Sequence, residues 1–220
     1  MDNRRFKAYI FDLDGVLVDT AVYHYHAWKK LANSLGFDFS ESQNEELKGI
    51  SRIDSLKKIL KWGKLNIDNE AEIYRLANVK NDDYVALIEQ MTAKEILPGA
   101  LKFLEKAKQN NIKIALGSAS KNSSIILNRT GIAYFFDAIV DGNMVSKSKP
   151  NPEVFITAQR LLKIEAQKCV VFEDAVAGIE AAKLANMKTV GIGLPQTLKN
   201  ADLVVSNLKN ISPDSLEQNL

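Results

Sequence analysis

Short apolar runs that stop abruptly at polar residues alternate with longer stretches of helical periodicity along most of this chain. The first run, Ala8-Tyr9-Ile10-Phe11, is rich in strand formers and breaks into Asp12-Leu13-Asp14-Gly15. It reads as a buried strand opening into a loop. Residues 112–116, 168–172 and 189–192 have the same character, and Leu203-Val204-Val205 is a weaker instance. Helical patterns at 100–108, 152–162 and 175–185 lie between them. This alternation predicts an α/β fold, a Rossmann-like parallel sheet with helices on both faces. Chemistry in such sheets gathers at the carboxyl ends of the strands.

The stretch from about residue 20 to 94 breaks the alternation. Its apolar positions follow a helical period, as in Tyr23, Ala27, Trp28, Leu31 and Leu35, and it contains no convincing strand. Gly36, Gly49 and Gly63 punctuate it at intervals that suit a small helical bundle, and Pro98-Gly99 marks the return to the alternating pattern. The expected organisation is a core of residues 1–18 and 95–220 with a helical cap, 19–94, inserted after the first strand.

Composition narrows the function classes. With 220 residues, 46% of them hydrophobic, the chain can build a sizeable core. A net charge of +2, with Lys and Arg spread along the chain, argues against nucleic acid as a partner and suits a small anionic ligand. The single cysteine, Cys169, allows no internal disulfide, so the expected setting is a reducing cytoplasm and the expected role of the thiol is a buried apolar one. The polar start of the chain does not resemble a signal peptide, and no segment reaches the roughly 18 apolar residues of a membrane span. A monomer without membrane association is expected.

Asp12 and Asp14 stand two apart at a strand end, and Glu173-Asp174 follows another buried run. Carboxylates held that close repel one another unless a cation neutralises them. A hard divalent ion such as Mg²⁺ prefers oxygen ligands and leaves room for a phosphate oxygen. Ser118-Ala119-Ser120-Lys121-Asn122, after the run ending at Leu116-Gly117, offers hydroxyls, an amide and helix-start N–H groups as a phosphate cradle, although Ser and Asn are also ordinary helix caps. Lys149 precedes Pro150 in Ser-Lys-Pro-Asn-Pro. By itself it reads as a surface lysine as readily as an inward one.

Together these residues resemble the haloacid-dehalogenase-like phosphotransferases. The signature is Asp12-Leu13-Asp14-Gly15-Val16-Leu17-Val18-Asp19-Thr20, with Ser118, Lys149-Pro150 and Glu173-Asp174 in the order of that family's remaining motifs. Within the family, residues 19–28 and 47–55 are similar to the cap of its sugar-phosphate mutases. The resemblance implies interconversion of β-D-glucose 1-phosphate and D-glucose 6-phosphate through a bound bisphosphate. It implies Asp12 as nucleophile, Asp14 as general acid and base, and Ser118 and Lys149 as ligands of the transferring phosphoryl group. Mg²⁺ would be held by Asp12, Glu173, Asp174 and the main-chain carbonyl of Asp14, and His24 would link cap closure to proton transfer. Substrate contacts are implied on the cap side at Thr20, His24, Trp28, Lys48, Gly49, Ile50, Arg52 and Ser55. On the core side they are Asp14, Ser118, Ala119, Ser120, Lys121 and Asn122.

Lys48 and Arg52 would form the second anion site that a mutase requires, Arg52 binding bidentately. His26 is expected to be structural. One departure stands out: Ala175 follows the Glu-Asp pair where the family often has Ser, which removes a hydroxyl near the site. A cis Lys149–Pro150 peptide is also expected. The alternatives are a Mg²⁺-dependent sugar-phosphate phosphatase on the same scaffold, a halide-displacing enzyme, for which four acids are superfluous, and a non-catalytic sensor, for which the intact Asp12–Asp14 pair is.

Overall fold

The computed structural model describes residues 4–48 and 50–220. Six strands form one parallel sheet: β1 Ala8–Phe11, β2 Lys113–Gly117, β3 Ala138–Val140, β4 Cys169–Glu173, β5 Lys188–Ile192 and β6 Leu203–Val205, in the order β3-β2-β1-β4-β5-β6. Period-two alternation divides the central strands between two cores. Tyr9, Phe11, Ile114, Leu116, Val170 and Phe172 face one apolar layer, while Ala8, Ile10, Ala115, Cys169 and Val171 face another. A sheet buried on both faces needs near-continuous apolar runs, which is why β1 and β4 were legible. β3 was not: it has three residues, lies at the sheet edge, and sits between Asp137 and Asp141, leaving no pattern to read.

Four helices follow β1: α1 Ala21–Ser34, α2 Glu41–Glu45, α3 Arg52–Trp62 and α4 Glu70–Ile88. Ser40, Ser51 and Asn69 cap α2, α3 and α4 by accepting backbone N–H groups. These helices enclose an apolar cluster of their own, built on Trp28, Leu31, Phe39, Leu56, Ile59 and Leu76. Ala27, Tyr84 and Ile88 instead join the core layer under the sheet.

The remaining helices are α5 Ala100–Gln109, α6 Ser123–Thr130, α7 Glu153–Leu162, α8 Val176–Leu184 and α9 Pro213–Asn219. α5, α6 and α9 pack on the Tyr9 face, and α7 with the C-terminal half of α8 on the Ala8 face. Among the described residues no helix is long and apolar enough to cross a membrane.

Strand order reverses at β1, which has β2 on one side and β4 on the other. The carboxyl ends of these three strands therefore meet at one point of the edge, and each ends in residues singled out above.

Candidate active site

Asp12 continues the β1 ladder by one hydrogen bond, its N–H donating to Phe172 O at 2.9 Å, so its backbone is as fixed as the sheet. From β4, Glu173 is turned back: its Oε2 accepts the N–H of Ala175 at 3.0 Å, and its side chain lies against Gly178 of α8. A Cβ at Gly178 would come within 1.9 Å of Glu173 Oε1, so only glycine leaves that carboxylate its place. Gly15 does the same for Asp174, with a φ of +75° as a second reason for glycine.

Ligand oxygens of Asp12, Glu173 and Asp174 lie within 4.8 Å of one another. Lys149 inserts between two of them, Nζ donating to Asp12 Oδ1 at 2.5 Å and to Glu173 Oε1 at 2.6 Å. The Lys149–Pro150 peptide is cis, as expected from the sequence.

Burial and mutual repulsion shape this cluster. Burial holds the Asp12 carboxyl well above the usual carboxylate range; Lys149 opposes it, and Glu173, Asp14 and Asp174 reinforce it. Asp174 is pushed up to about 7, by burial first and Glu173 second. For Lys149, burial disfavours the charge, yet Asp12 and Glu173 outweigh it and raise the ammonium above its ordinary value. One lysine thus offsets only part of the negative charge. Three converging carboxylates, two buried and one partly so, with charge left over fit a divalent cation.

Asp14 stands apart from that cluster. Its carboxylate accepts the hydroxyl of the buried Thr20, and the Gly15-to-Val18 turn holds it. Burial raises its proton affinity, and the Thr20 hydrogen bond works against the rise. Ser118, almost fully buried, stands at the end of β2 with its N–H on Val140 O at 3.0 Å.

All of these residues open onto one cavity of about 690 Å³ between the sheet edge and the four helices. Thr20, His24, Trp28, Lys48, Ile50, Arg52 and Ser55 line it from the helical side. Ala119, Ser120, Lys121 and Asn122 line it from the core side. Gly49 lies outside the described residues. His26 is exposed and takes no part. Lys48 and Arg52 do not share a helix: Lys48 precedes α3, while Arg52 is its first residue. Lys48 pairs with Glu45 at 2.9 Å and reaches Asp174 at 3.6 Å, an ion pair that crosses the cavity.

Of the α4 residues that line the cavity, none was expected from the sequence; Lys80, Asn81 and Tyr84 make the polar and ring contacts that matter. Lys80 is nearly fully buried, 2.9 Å from His24 Nδ1, with Nζ 4.5 Å from the ring centroids of both Trp28 and Tyr84. Burial and the neighbouring Arg52 hold its pKa well below the ordinary lysine value, and Asp14 opposes them. His24 is pushed well below its own usual value by burial first, then by Lys80 and Arg52. Its ring stacks on Tyr84 at 4.1 Å. Asn81 accepts the side-chain amide of Asn122 at 2.9 Å and ties α4 to the 118–122 loop.

The signal that could have found Lys80 is its place in the apolar stripe of α4. It falls between Leu76-Ala77 and Tyr84 at spacings of three and four, where a lysine is out of keeping with a packed face.

Comparison with known proteins accords with this layout. The model of the haloacid dehalogenase-like hydrolase family matches residues 9–192. The β-phosphoglucomutase of Bacillus subtilis is 44% identical over 96% of this chain and 94% of its own length. A phosphorylated-carbohydrates phosphatase of Thermotoga maritima is 30% identical over 84% of this chain and 83% of its own. Among solved structures, a β-phosphoglucomutase from Clostridium difficile superposes with a TM-score of 0.93 at 45% identity, covering 97% of this chain and 96% of the other. The chain belongs to the haloacid dehalogenase-like hydrolase family.

Proposed function

We propose that this protein is a β-phosphoglucomutase, interconverting β-D-glucose 1-phosphate and D-glucose 6-phosphate through an aspartyl phosphate on Asp12. The observation that carries the reading is a single cavity with a nucleophile at one wall and unpaired cations at the other. At the core wall, Asp12, Ser118 and Lys149 line the cavity and would surround the transferring phosphoryl group. Opposite them, Arg52 and Lys80 have no carboxylate within ion-pair distance among the described residues, and a phosphate at the far end of the same sugar would pair with both.

In the first half-reaction the sugar hydroxyl oxygen attacks phosphorus of the Asp12 phosphate. Its proton passes to the Asp14 carboxylate, and the bond from Asp12 oxygen to phosphorus breaks. The product is a glucose 1,6-bisphosphate and a free Asp12. After the bisphosphate turns end for end, Asp12 attacks the other phosphorus. Asp14 returns its proton to the departing sugar oxygen, leaving glucose 6-phosphate and a rephosphorylated Asp12. The raised proton affinity of Asp14 suits a group that carries this proton.

Mg²⁺ would be held by Asp12, Glu173, Asp174 and the carbonyl of Asp14. When bound, it supplies charge compensation for the phosphoryl oxygens. Lys149 and Ser118 position the same oxygens from the protein side. We read residues 19–94 as a cap over the core formed by 1–18 and 95–220. We read the protein as a monomer, and the buried Cys169, free of any disulfide, suits the cytoplasm.

A phosphatase differs only in letting water meet the aspartyl phosphate. The identity to the Bacillus subtilis mutase, higher and more extensive than that to the Thermotoga maritima phosphatase, favours the mutase. The test is a phosphorus NMR time course with β-glucose 1-phosphate, Mg²⁺ and a trace of the bisphosphate. Glucose 6-phosphate should accumulate with little inorganic phosphate; stoichiometric release of phosphate would assign the phosphatase instead.

A further inference from the structure

We propose that Asp141, Gly142 and Asn143, just beyond β3, form a positioning element that sets the direction in which the 118–122 loop presents its amides to a substrate phosphate. The inference rests on reading that loop as a phosphate site.

The loop lies against the end of β3 through a regular set of contacts. Ser118 N–H donates to Val140 O at 3.0 Å, Gly142 N–H to Ser120 O at 3.1 Å, and Asn143 Nδ2 to Lys121 O at 3.0 Å. The hydroxyl of Ser123 also donates to Ser120 O, at 2.9 Å. A planar trans peptide points its carbonyl and the next N–H in opposite directions. Holding the Ser120 carbonyl on the core side therefore aims the Lys121 N–H away from the core. Holding the Lys121 carbonyl likewise fixes the Asn122 N–H, which donates to Ser120 Oγ at 3.3 Å. The N–H groups of Ala119 and Lys121 have no acceptor among the described residues, and both residues line the cavity. They are the donors left over for an anion.

Two features of the 141–143 segment are explained by this duty. Gly142 lies outside the left-handed region, so conformational freedom does not call for glycine there. Close approach does: a Cβ would come within 2.3 Å of Ala119 O, a backbone atom that could yield only by moving the loop. The buried Asp141 carboxylate accepts from Asn143 N at 2.8 Å and from Asn143 Nδ2 at 3.1 Å, which fixes the amide that reaches Lys121 O.

The loop also spans the cavity. Ser118 stands beside the acidic cluster, while Asn122 is bonded to Asn81 of α4. Loosening the Lys121 end should therefore affect the phosphate nearer the cap and spare the one at Asp12.

The experiment titrates inorganic phosphate into the wild-type protein, Asn143→Ala and Gly142→Ala while following the backbone amide resonances of Ala119 and Lys121. Asn143 is exposed, so its truncation leaves the core intact. Wild type should respond at both amides. Asn143→Ala should weaken the Lys121 response about fivefold, the loss of one hydrogen bond, and leave Ala119 within about twofold. Gly142→Ala should weaken both responses. In turnover, Asn143→Ala should raise KM for glucose 1-phosphate about fivefold with kcat little changed. Wild-type titrations in both variants, or a fall in kcat at constant KM, would overturn the proposal. A wild-type protein whose loop amides ignore phosphate would overturn the phosphate-site reading, and this inference with it.

Discussion

Two lysines are buried beside the same cavity, and their surroundings are opposite. Lys149, on the core side, lies between Asp12 and Glu173, and those carboxylates raise its pKa despite burial. Lys80, on the helical side, is enclosed by Trp28, Tyr84 and His24, with Arg52 nearby, and its pKa is depressed. An unpaired buried cation costs stability that a folded protein does not spend without return. The core holds its own counter-ions, whereas Lys80 and Arg52 have no carboxylate within ion-pair distance among the described residues; under the proposed function the substrate brings the anion. In that view the core wall performs phosphoryl transfer and the cap wall selects molecules with a second phosphate.

The largest effects should come from the core wall. Asp12→Asn should lower glucose 6-phosphate formation at least about a thousandfold, because an amide neither attacks phosphorus nor serves well as a metal ligand. A coupled assay checks this, with circular dichroism to show that the fold is retained. Asp14→Ala should cost roughly a hundred- to ten-thousandfold in transfer to a sugar hydroxyl. Labelling of Asp12 by acetyl phosphate, whose leaving group needs little protonation, should survive in that variant. Loss of labelling and turnover in equal measure would assign Asp14 a structural duty instead.

Stability should separate the two lysines by sign. Lys149→Met leaves two buried carboxylates without their partner and should destabilise the metal-free protein by about 3–5 kcal/mol. Lys80→Met removes a desolvated amine with no carboxylate partner from an aromatic setting and should stabilise by about 1 kcal/mol while impairing turnover. Urea unfolding of both variants reads the difference. If both lost stability equally, the contrast between the two walls would not hold.

The core wall was largely legible in the sequence, and the reason is geometric. A buried parallel strand needs an apolar run, so the acids that end it stand out, as in Phe11-Asp12 and Phe172-Glu173. The 118–122 cradle was legible only through its motif, since its Ser and Asn residues are ordinary helix caps. On the helical side, Lys48 and Arg52 were found by resemblance, whereas Lys80, Asn81 and Tyr84 were missed. Lys80 is out of keeping with the apolar stripe of α4, but which cavity that stripe meets is a tertiary fact. The 141–143 segment was hidden for a related reason: its work is done by a backbone N–H and by the absence of a Cβ.

The most direct test of the two-wall account is a pair of rates for wild type and Arg52→Ala. One is isomerisation of β-glucose 1-phosphate; the other is phosphorylation of Asp12 by acetyl phosphate, which has no distal phosphate to hold. Arg52 lies at the start of α3, half-buried, and burial pulls its pKa down against the opposing charge of Asp82. Its removal should slow isomerisation by about ten- to a hundredfold, the worth of a charge-assisted hydrogen bond, and leave acetyl phosphate labelling within about twofold. Equal losses in both rates, or no loss in either, would contradict a division of labour between the core wall and the cap wall.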